Sequence, residues 1–278
     1  MIVNLKQLKI EDVVSYNLVR ASLLQKLIRR SLLPEALFVV DLYLEDKQTA
    51  GLNRRLLQIA VEDVGLCLPN AIELLEAEPD FHKKVAILCL AHKNREVDRF
   101  MLTVAYRPIR FKNADPQTQK EGMTMHKLIK LSTEWFENKR KKETLKNLQD
   151  YVQSLSLKSK WSSTILKALD IYLDLSRANV HGARVMLGLI SLLATREVED
   201  RQAPDISQLP LSQEVVNVPD YALDRHTPFG KILKRDFSHW EEHGAFVSPE
   251  LKYPDLLDSK NEEKYPLAPL IPILEKLK

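Results

Sequence analysis

The segment YALDRHTPFGK holds side chains that could carry acid–base chemistry. Asp224, His226 and Thr227 bring a carboxylate, an imidazole and a hydroxyl together, which are groups that general acid–base catalysis uses. Thr227, Gly230 and Lys231 also follow the order of a turn that grips phosphate at the start of a helix. A structural interpretation is favoured over a site, because Thr before Pro is a common helix cap. The segment therefore indicates either an enzyme site for nucleotides or nucleic acid, or a capped turn.

Two histidines in HWEEH, His239 and His243, are spaced as a pair of metal ligands on one helical face would be. Their order differs from the H-E-x-x-H zinc motif. No third ligand stands out in the sequence, although His226 or Asp224 could fold back toward them. We therefore predict no metal and no other cofactor.

The run ENKRKKETLKN is the densest basic cluster in the chain. Such a cluster can neutralise several phosphates and give salt-dependent binding that does not depend on base sequence. Trp161 lies nearby in sequence, as stacking on nucleic-acid bases would need. The alternative is a solvated helix face with no ligand. The predicted nucleic-acid contacts are Lys139, Arg140, Lys141, Lys142, Lys146 and Trp161.

The stretch RRLLQIAVEDVGLCLPN ends a predicted helix with two carboxylates, Glu62 and Asp63. The partial negative charge of a helix C-terminus disfavours acidic residues there. Gly65 suits the left-handed position just past a helix end. Arg54 and Arg55 lie about two turns earlier, and an arginine fork binds carboxylates well. We predict an ion-pair arrangement of these four charged residues, which is either purely structural or part of an oligomer or partner interface.

The elements that would position these groups are predicted to be helices. The chain has 278 residues, of which 45% are hydrophobic and 28% charged, as in globular proteins. Only 7 residues are glycine, which argues against a turn-rich sandwich or barrel. The N-terminus lacks the basic-then-apolar order of a secretory signal peptide, and no apolar run is long enough to span a membrane. The spacing of Cys67 and Cys89 does not fit a metal site. We therefore expect an intracellular, soluble, all-α protein.

Apolar residues with a period near 3.6 predict about seven or eight helices before Arg196. Pro34 suits the first turn of one predicted helix, Leu33 to Leu44. Another, Met123 to Asn147, would carry the basic run. A further short helix is predicted from Pro228 to His243, closed by Gly244.

Charge and proline content divide the chain into a body and a tail. Residues 120–167 carry eleven Lys and Arg against five Asp and Glu, whereas residues 196–278 carry eleven against sixteen. Nine of the 14 prolines follow Arg196. The predicted domains are a helical domain, a basic helical extension packed on it, and an acidic, irregular, proline-rich C-terminal arm, at residues 1–110, 111–195 and 196–278.

Three blocks of the sequence resemble a known family. KLIRRSLLPEALFVVDLYL, NRRLLQIAVEDVGLCLPNAI and KKVAILCLAHKNREVDRF are similar, in that order, to the helical C-terminal region of the RarA/MgsA family of AAA+ ATPases, which includes the Werner-helicase-interacting protein. The similarity covers roughly Leu18 to Tyr106. The matching positions are Lys26, Arg29, Arg54, Arg55, Ala60, Glu62, Asp63, Val64, Gly65 and Pro69.

The resemblance implies a body like the collar of clamp loaders, which assembles subunits into an oligomer at replication forks. It does not imply ATPase activity, because the sequence contains no G-x-x-x-x-G-K-[ST] motif. We therefore expect a non-catalytic assembly or adaptor subunit of a DNA replication, recombination or repair complex. Its partners would be a second copy of itself or a AAA+ or clamp-loader-type protein, with DNA contact and no membrane. The alternatives are the enzyme considered above and a pure protein-binding scaffold.

Overall fold

Helices are the regular secondary structure of the described part of the chain. The computed structural model describes residues 13–106, 114–177, 180–213 and 218–245, and no strand occurs within these ranges. The predicted all-α class is therefore confirmed. The α-helices are α1 Val13–Arg29, α2 Leu33–Glu45, α3 Thr49–Ile59, α4 Ala71–Ala77, α5 Phe81–Leu90, α6 Glu96–Tyr106, α7 Pro116–Glu137, α8 Lys142–Ser156, α9 Ser162–Leu175, α10 Val180–Thr195, α11 Pro228–Ile232 and α12 Phe237–His239.

The chain forms two compact units, each built from segments that are distant in sequence. The first unit contains Met1–Leu52, Phe81–Leu90 and Asp205–Lys278, and the second contains Asn53–Asp80 and Ala91–Pro204. The domain boundaries predicted after residues 110 and 195 both fall inside the second unit, so the two divisions differ. Composition changes along the chain do not reveal which distant segments pack together.

The first unit is centred on α1, which contacts α2 and α5. The α1 side chains Leu23, Leu24 and Leu27 are buried as the periodicity predicts, whereas Leu18 is 42% exposed. Helix α2 begins at Leu33 with Pro34 in its first turn, as predicted. Arg20 is fully buried and ties α1 to the C-terminal end of α2 by donating to the Leu42 carbonyl and to Asp46, at 3.0 and 2.6 Å.

The second unit is built around α10, which packs against α6, α7 and α9. Side chains on every face of α10 are buried, which is typical of a central helix. They are Ala183, Val185, Met186, Leu187, Leu189, Ile190, Leu192 and Leu193. Arg196 follows α10 and donates its Nε and Nη2 to the two carboxylate oxygens of the buried Glu121 of α7, at 2.6 and 2.8 Å. This fork fixes the end of the central helix to α7.

The single helix predicted from Met123 to Asn147 is wrong, because α7 ends at Glu137 and α8 begins at Lys142. Lys139 and Arg140 have positive φ angles of 52° and 60°. Their N–H groups donate to the carbonyls of Phe136 and Trp135, at 3.1 and 2.8 Å, which is the hydrogen-bond pattern of a Schellman helix end. The basic run therefore lies on a turn and the start of a new helix.

The helix predicted from Pro228 to His243 is also interrupted. Helix α11 ends at Ile232, and Lys234 has a positive φ of 54°. Helix α12 then runs directly into a π-helical turn, Trp240–Gly244. Residues 214–217 and 246–278 of the predicted proline-rich arm lie outside the described residues. Residues 205–213 and 218–245 belong to the first unit, and 196–204 belong to the second.

Candidate functional site

The residues singled out for acid–base chemistry lie in a tightly closed turn of the first unit, Asp224–Gly230. Gly230 lies so close to Asp224 that a Cβ added to it would come within 1.7 Å of the Asp224 carbonyl oxygen. Only glycine fits such an approach. On the far side of α11, Arg235 donates its side-chain Nη1 to the Leu223 carbonyl at 2.6 Å and its backbone N–H to the Gly230 carbonyl at 2.9 Å. The turn is thus fixed at both ends.

Asp224 is the buried anchor of this turn. Its side chain is fully buried, and Oδ2 forms an ion pair with the buried Lys26 ammonium of α1. Its Oδ1 accepts the backbone N–H of His226 at 2.9 Å and lies 3.2 Å from His226 Nδ1. Burial alone raises the pKa of the Asp224 carboxyl, but the hydrogen bond from His226 and the charge of Lys26 together hold that pKa well below its usual range. Asp224 is therefore an ionised structural carboxylate.

Thr227 acts as the helix cap that the structural interpretation predicted. It is the N-cap residue of α11, and its hydroxyl accepts the Gly230 N–H at 3.0 Å. The same hydroxyl donates to the Asp224 carbonyl at 2.8 Å. Since the Gly230 N–H is already bonded to Thr227, the backbone of this turn does not present that donor to a phosphate.

His226 and Lys231, in contrast, point functional groups outward. The His226 side chain is 64% exposed, although its Nδ1 faces Asp224, and Lys231 is exposed on α11. An imidazole held by a carboxylate at Nδ1, with its other nitrogen toward solvent, can serve as a general base or as a hydrogen-bond donor to an anion. The structure therefore brings Asp224 and His226 together, while Thr227 is used in the fold.

Lys26, the partner of Asp224, was not identified from the sequence as part of this site. Its Nζ also donates to Ser22 at 2.8 Å, and Ser22 donates to the Ala222 carbonyl at 2.8 Å. Farther along α1, Arg29 donates to the Gly244 carbonyl at 2.5 Å. Residues 22, 26 and 29 of α1 thus bind one segment about 200 residues later, and no local sequence signal predicts such a pairing.

The two histidines considered as metal ligands lie side by side, with ring centroids 4.6 Å apart. His239 belongs to α12 and His243 to the π-helical turn that follows. Among the described residues, however, no group of three His, Cys, Asp or Glu side chains is placed to hold a metal ion. The structure therefore gives this pair no third protein ligand from the described part of the chain.

The predicted interface residues around Arg54 divide between surface and core. Helix α3 ends at Ile59 and continues as a π-helical turn, Ala60–Val64, that contains Glu62 and Asp63. Asp63 is fully buried and lies 3.7 Å from Arg95 Nε, whereas Glu62 is half-buried and Arg54 exposed. Asp63 is thus part of an ion pair inside the second unit, and the interface role of the exposed residues stays a prediction.

Gly65 ends this π-helical turn with a φ of 50°, but its ψ of −125° departs from the left-handed helical value that we expected. A Cβ added there would lie 2.9 Å from Val97 Cγ2 of α6. The positive φ of Gly65 and the close Val97 side chain together explain why glycine occupies this position. Arg95 pairs with both Asp63 and Asp98. The sequence analysis did not identify it as the partner of Asp63, because nothing in its position within the third block of the resemblance indicates this pairing.

The basic run forms an exposed surface at the α7–α8 turn, which we call the basic turn and define as Lys139, Arg140, Lys141, Lys142 and Lys146. All five side chains are exposed. Arg140 donates to the Ser176 carbonyl at 3.4 Å and lies 5.0 Å from the Phe136 ring centroid. Trp161 is not available for stacking, because it is 9% exposed and its Nε1 donates to the Val198 carbonyl at 3.2 Å. The predicted lysine surface exists without its predicted stacking residue.

No family model, curated protein or solved structure matches this chain. The resemblance to the RarA/MgsA family therefore stays a prediction. None of the described helices has both the length and the apolar character that crossing a membrane requires.

Proposed function

We propose that this protein is a non-catalytic assembly or adaptor subunit of a complex that acts on DNA, and that it contacts the phosphate backbone through the basic turn. The observation that carries the proposal is the exposure of all five cations at one helix–helix junction. Between residues 137 and 146 they outnumber the two carboxylates, giving a net charge of +3. Such a concentration of positive charge attracts a polyanion.

Nor does the described part of the chain neutralise the lysines of the basic turn. Within the described ranges, no ion pair involves Lys139, Lys141, Lys142 or Lys146. The Schellman hydrogen bonds hold the backbone of the turn in a defined conformation. The cations are therefore presented from a fixed support, which lowers the conformational entropy lost on binding.

Binding at this surface is expected to be independent of base sequence. Trp135 and Trp161 are 5% and 9% exposed, and Lys127 Nζ lies over the Tyr151 ring at 4.0 Å from its centroid. These aromatic side chains are packed in the protein or covered, so they offer no open platform for unpaired bases. Phosphate contacts without base contacts position a protein on DNA but do not specify sequence.

The adaptor part of the proposal draws on the resemblance to the RarA/MgsA collar region and on the absence of an ATP-binding motif from the sequence. The engagement of the Thr227 hydroxyl in a helix cap also favours a non-catalytic role. The proposed partner is a second copy of the chain or a AAA+ or clamp-loader-type protein, with Arg54, Arg55 and Glu62 as the nearest candidates for contact.

The decisive experiment measures DNA affinity against salt concentration. If the five cations each neutralise one phosphate, log K should fall with log salt at a slope of about −4.5. This corresponds to a loss of about 500-fold in affinity between about 50 and 200 mM salt. Substituting Gln for Lys139, Lys141, Lys142 and Lys146 should weaken binding and reduce the magnitude of the slope by up to about 3.6.

The matched control replaces four other exposed lysines of the second unit, Lys120, Lys130, Lys158 and Lys160, by Gln. This control removes the same net charge, so it should retain much more of the slope if the basic turn is the contact. Equal loss in both variants would point to diffuse attraction and contradict the proposed surface. A chain that is strictly monomeric by light scattering and shows no DNA retention at low salt would refute the proposed function as a whole.

A further inference from the structure

We infer that the outer face of the Asp224–Gly230 turn is a second anion site, which binds a phosphate group through the side chains of Arg225, His226 and Lys231. All three side chains are exposed. The site lies on the first unit, whereas the basic turn lies on the second. The inference therefore does not depend on the proposed DNA contact.

The closure of the turn brings its cations together. Because a Gly230 Cβ would lie 1.7 Å from the Asp224 carbonyl oxygen, the backbones at residues 224 and 230 are in direct contact. Arg225 and Lys231 each follow one of these contacting residues. Standard backbone dimensions then place their Cα atoms within about 10 Å of each other, which is within reach of one phosphate for two long side chains.

The charge of the segment is cationic on its outer side. Residues 225–235 contain four Lys or Arg and one His, with no Asp or Glu, and all of these except the buried Arg235 are exposed. The exposed Asp236 follows the segment. Asp224, which begins the turn, is fully buried and paired with Lys26 on the inner side. The segment therefore differs from the acidic tail in which it lies, and its field attracts an anion.

His226 is oriented for this role by the same carboxylate. Asp224 Oδ1 faces Nδ1 at 3.2 Å, so in the imidazolium form Nδ1–H is directed inward and Nε2–H can donate to a bound oxygen. The 64% exposure of the side chain leaves that outer edge open. A tetrahedral oxyanion has several acceptor oxygens, so it can accept hydrogen bonds from more than one of these donors.

Rigidity separates this turn from an ordinary cluster of surface charges. The Asp224 carbonyl accepts from both the N–H and the hydroxyl of Thr227, at 2.9 and 2.8 Å. The Gly230 carbonyl accepts from Arg235, and Lys26 anchors the turn to α1. The donors start from a backbone that is already in place, so binding need not order it. Here the side chains hold the phosphate, since the Gly230 N–H is bonded within the turn.

The test titrates inorganic phosphate, and then two short single-stranded oligonucleotides that differ only in having a 5′-phosphate or a 5′-hydroxyl, by calorimetry. We expect saturable binding of phosphate in the wild-type protein and at least 10-fold weaker binding in H226Q/K231Q. The matched control K47Q/K83Q removes two exposed lysines of the same unit and should bind as the wild type does. Hydrogen exchange of residues 218–245 verifies that the variants are folded.

The two oligonucleotide titrations identify which kind of phosphate group the site binds. Tighter binding of the 5′-phosphorylated strand, lost in H226Q/K231Q, assigns the site to a terminal phosphate monoester. Equal binding of the two strands, also lost in that variant, assigns it to the phosphodiester backbone. No saturable phosphate binding, or unchanged binding in a folded H226Q/K231Q protein, overturns the inference. Both strands are also titrated into the four-lysine variant of the basic turn, which keeps the Asp224–Gly230 site. Because this variant alters only the basic turn and H226Q/K231Q alters only the Asp224–Gly230 site, the failure of one proposal can be distinguished from the failure of the other.

Discussion

Replacing Asp224 by Asn should destabilise the first unit strongly, because it removes the charge that compensates a buried ammonium. The Asp224 and Lys26 side chains are 0% and 3% exposed. Removing one member of a buried ion pair costs about 3–5 kcal/mol. Asn keeps one carbonyl oxygen for the His226 N–H but offers only one oxygen to two sets of donors. We therefore expect a loss at the lower end of that range, about 3 kcal/mol.

The pH dependence of this loss gives a second, independent check. Since the pKa of Asp224 is depressed in the folded protein, its ionisation stabilises the fold fully above the unfolded-state pKa of about 3.9. That stabilisation is lost as the pH falls below this value toward the folded-state pKa. The stability difference between wild type and D224N should be constant from about pH 7 to 5 and shrink below about pH 4.

The assay is hydrogen exchange in increasing urea, followed in peptides that cover residues 20–30 and 218–240, because two compact units need not unfold together. Adding Lys26→Met to D224N should recover part of the loss, since no uncompensated charge is then buried. Glu45→Gln, an exposed change in the same unit, should stay within about 0.5 kcal/mol of wild type. A D224N protein as stable as wild type at pH 7, or a difference that grows on acidification, would refute the reasoning.

Two further substitutions test the fold. For each one, the free energy of unfolding is measured in urea and compared with that of a matched control. Gly230→Ala should lower the free energy of unfolding by about 3 kcal/mol or more, because the added Cβ would overlap the Asp224 carbonyl. In the control Gly51→Ala in α3, the added Cβ meets nothing within 4 Å, so the free energy of unfolding should rise by about 0.5–1 kcal/mol. Similar effects of the two substitutions would show that the turn is not closed. Glu121→Gln should lower the free energy of unfolding by about 2 kcal/mol, because it weakens the two hydrogen bonds from Arg196. In the control Glu134→Gln, the Glu134 side chain is 40% exposed and lies 3.9 Å from Lys130, so the free energy of unfolding should change by less than about 0.5 kcal/mol.

The helical class was predictable because it depends on properties that are local. Few glycines and a 3.6-residue apolar period suffice to indicate helices, and Pro34 marks the start of α2 correctly. The break between α7 and α8 was missed, because its left-handed residues are Lys139 and Arg140. Glycine usually fills that position, so neither residue carries the usual signal of a helix end.

The partners of the charged residues were not predictable for a different reason. The sequence predicted an arginine partner for Asp63 from its own helix or a neighbouring one without identifying it, and Asp63 contacts Arg95, after α5. Asp224 pairs with Lys26, which precedes it by 198 positions. Such pairings depend on how helices pack, and a spacing rule covers only neighbours on one helix. The same limit explains why the predicted domain boundaries and the compact units differ.

Within the Asp224–Gly230 turn, structure and proposed binding belong to different side chains, and this determines how a variant should be interpreted. Asp224, Thr227 and Gly230 are buried and hold the turn closed, so substituting them changes the fold first and any ligand affinity as a consequence. His226 and Lys231 extend into solvent from that support. Loss of activity or binding in D224N would therefore say nothing about chemistry at the site, whereas loss in a folded H226Q/K231Q protein would locate the ligand on the turn's outer face.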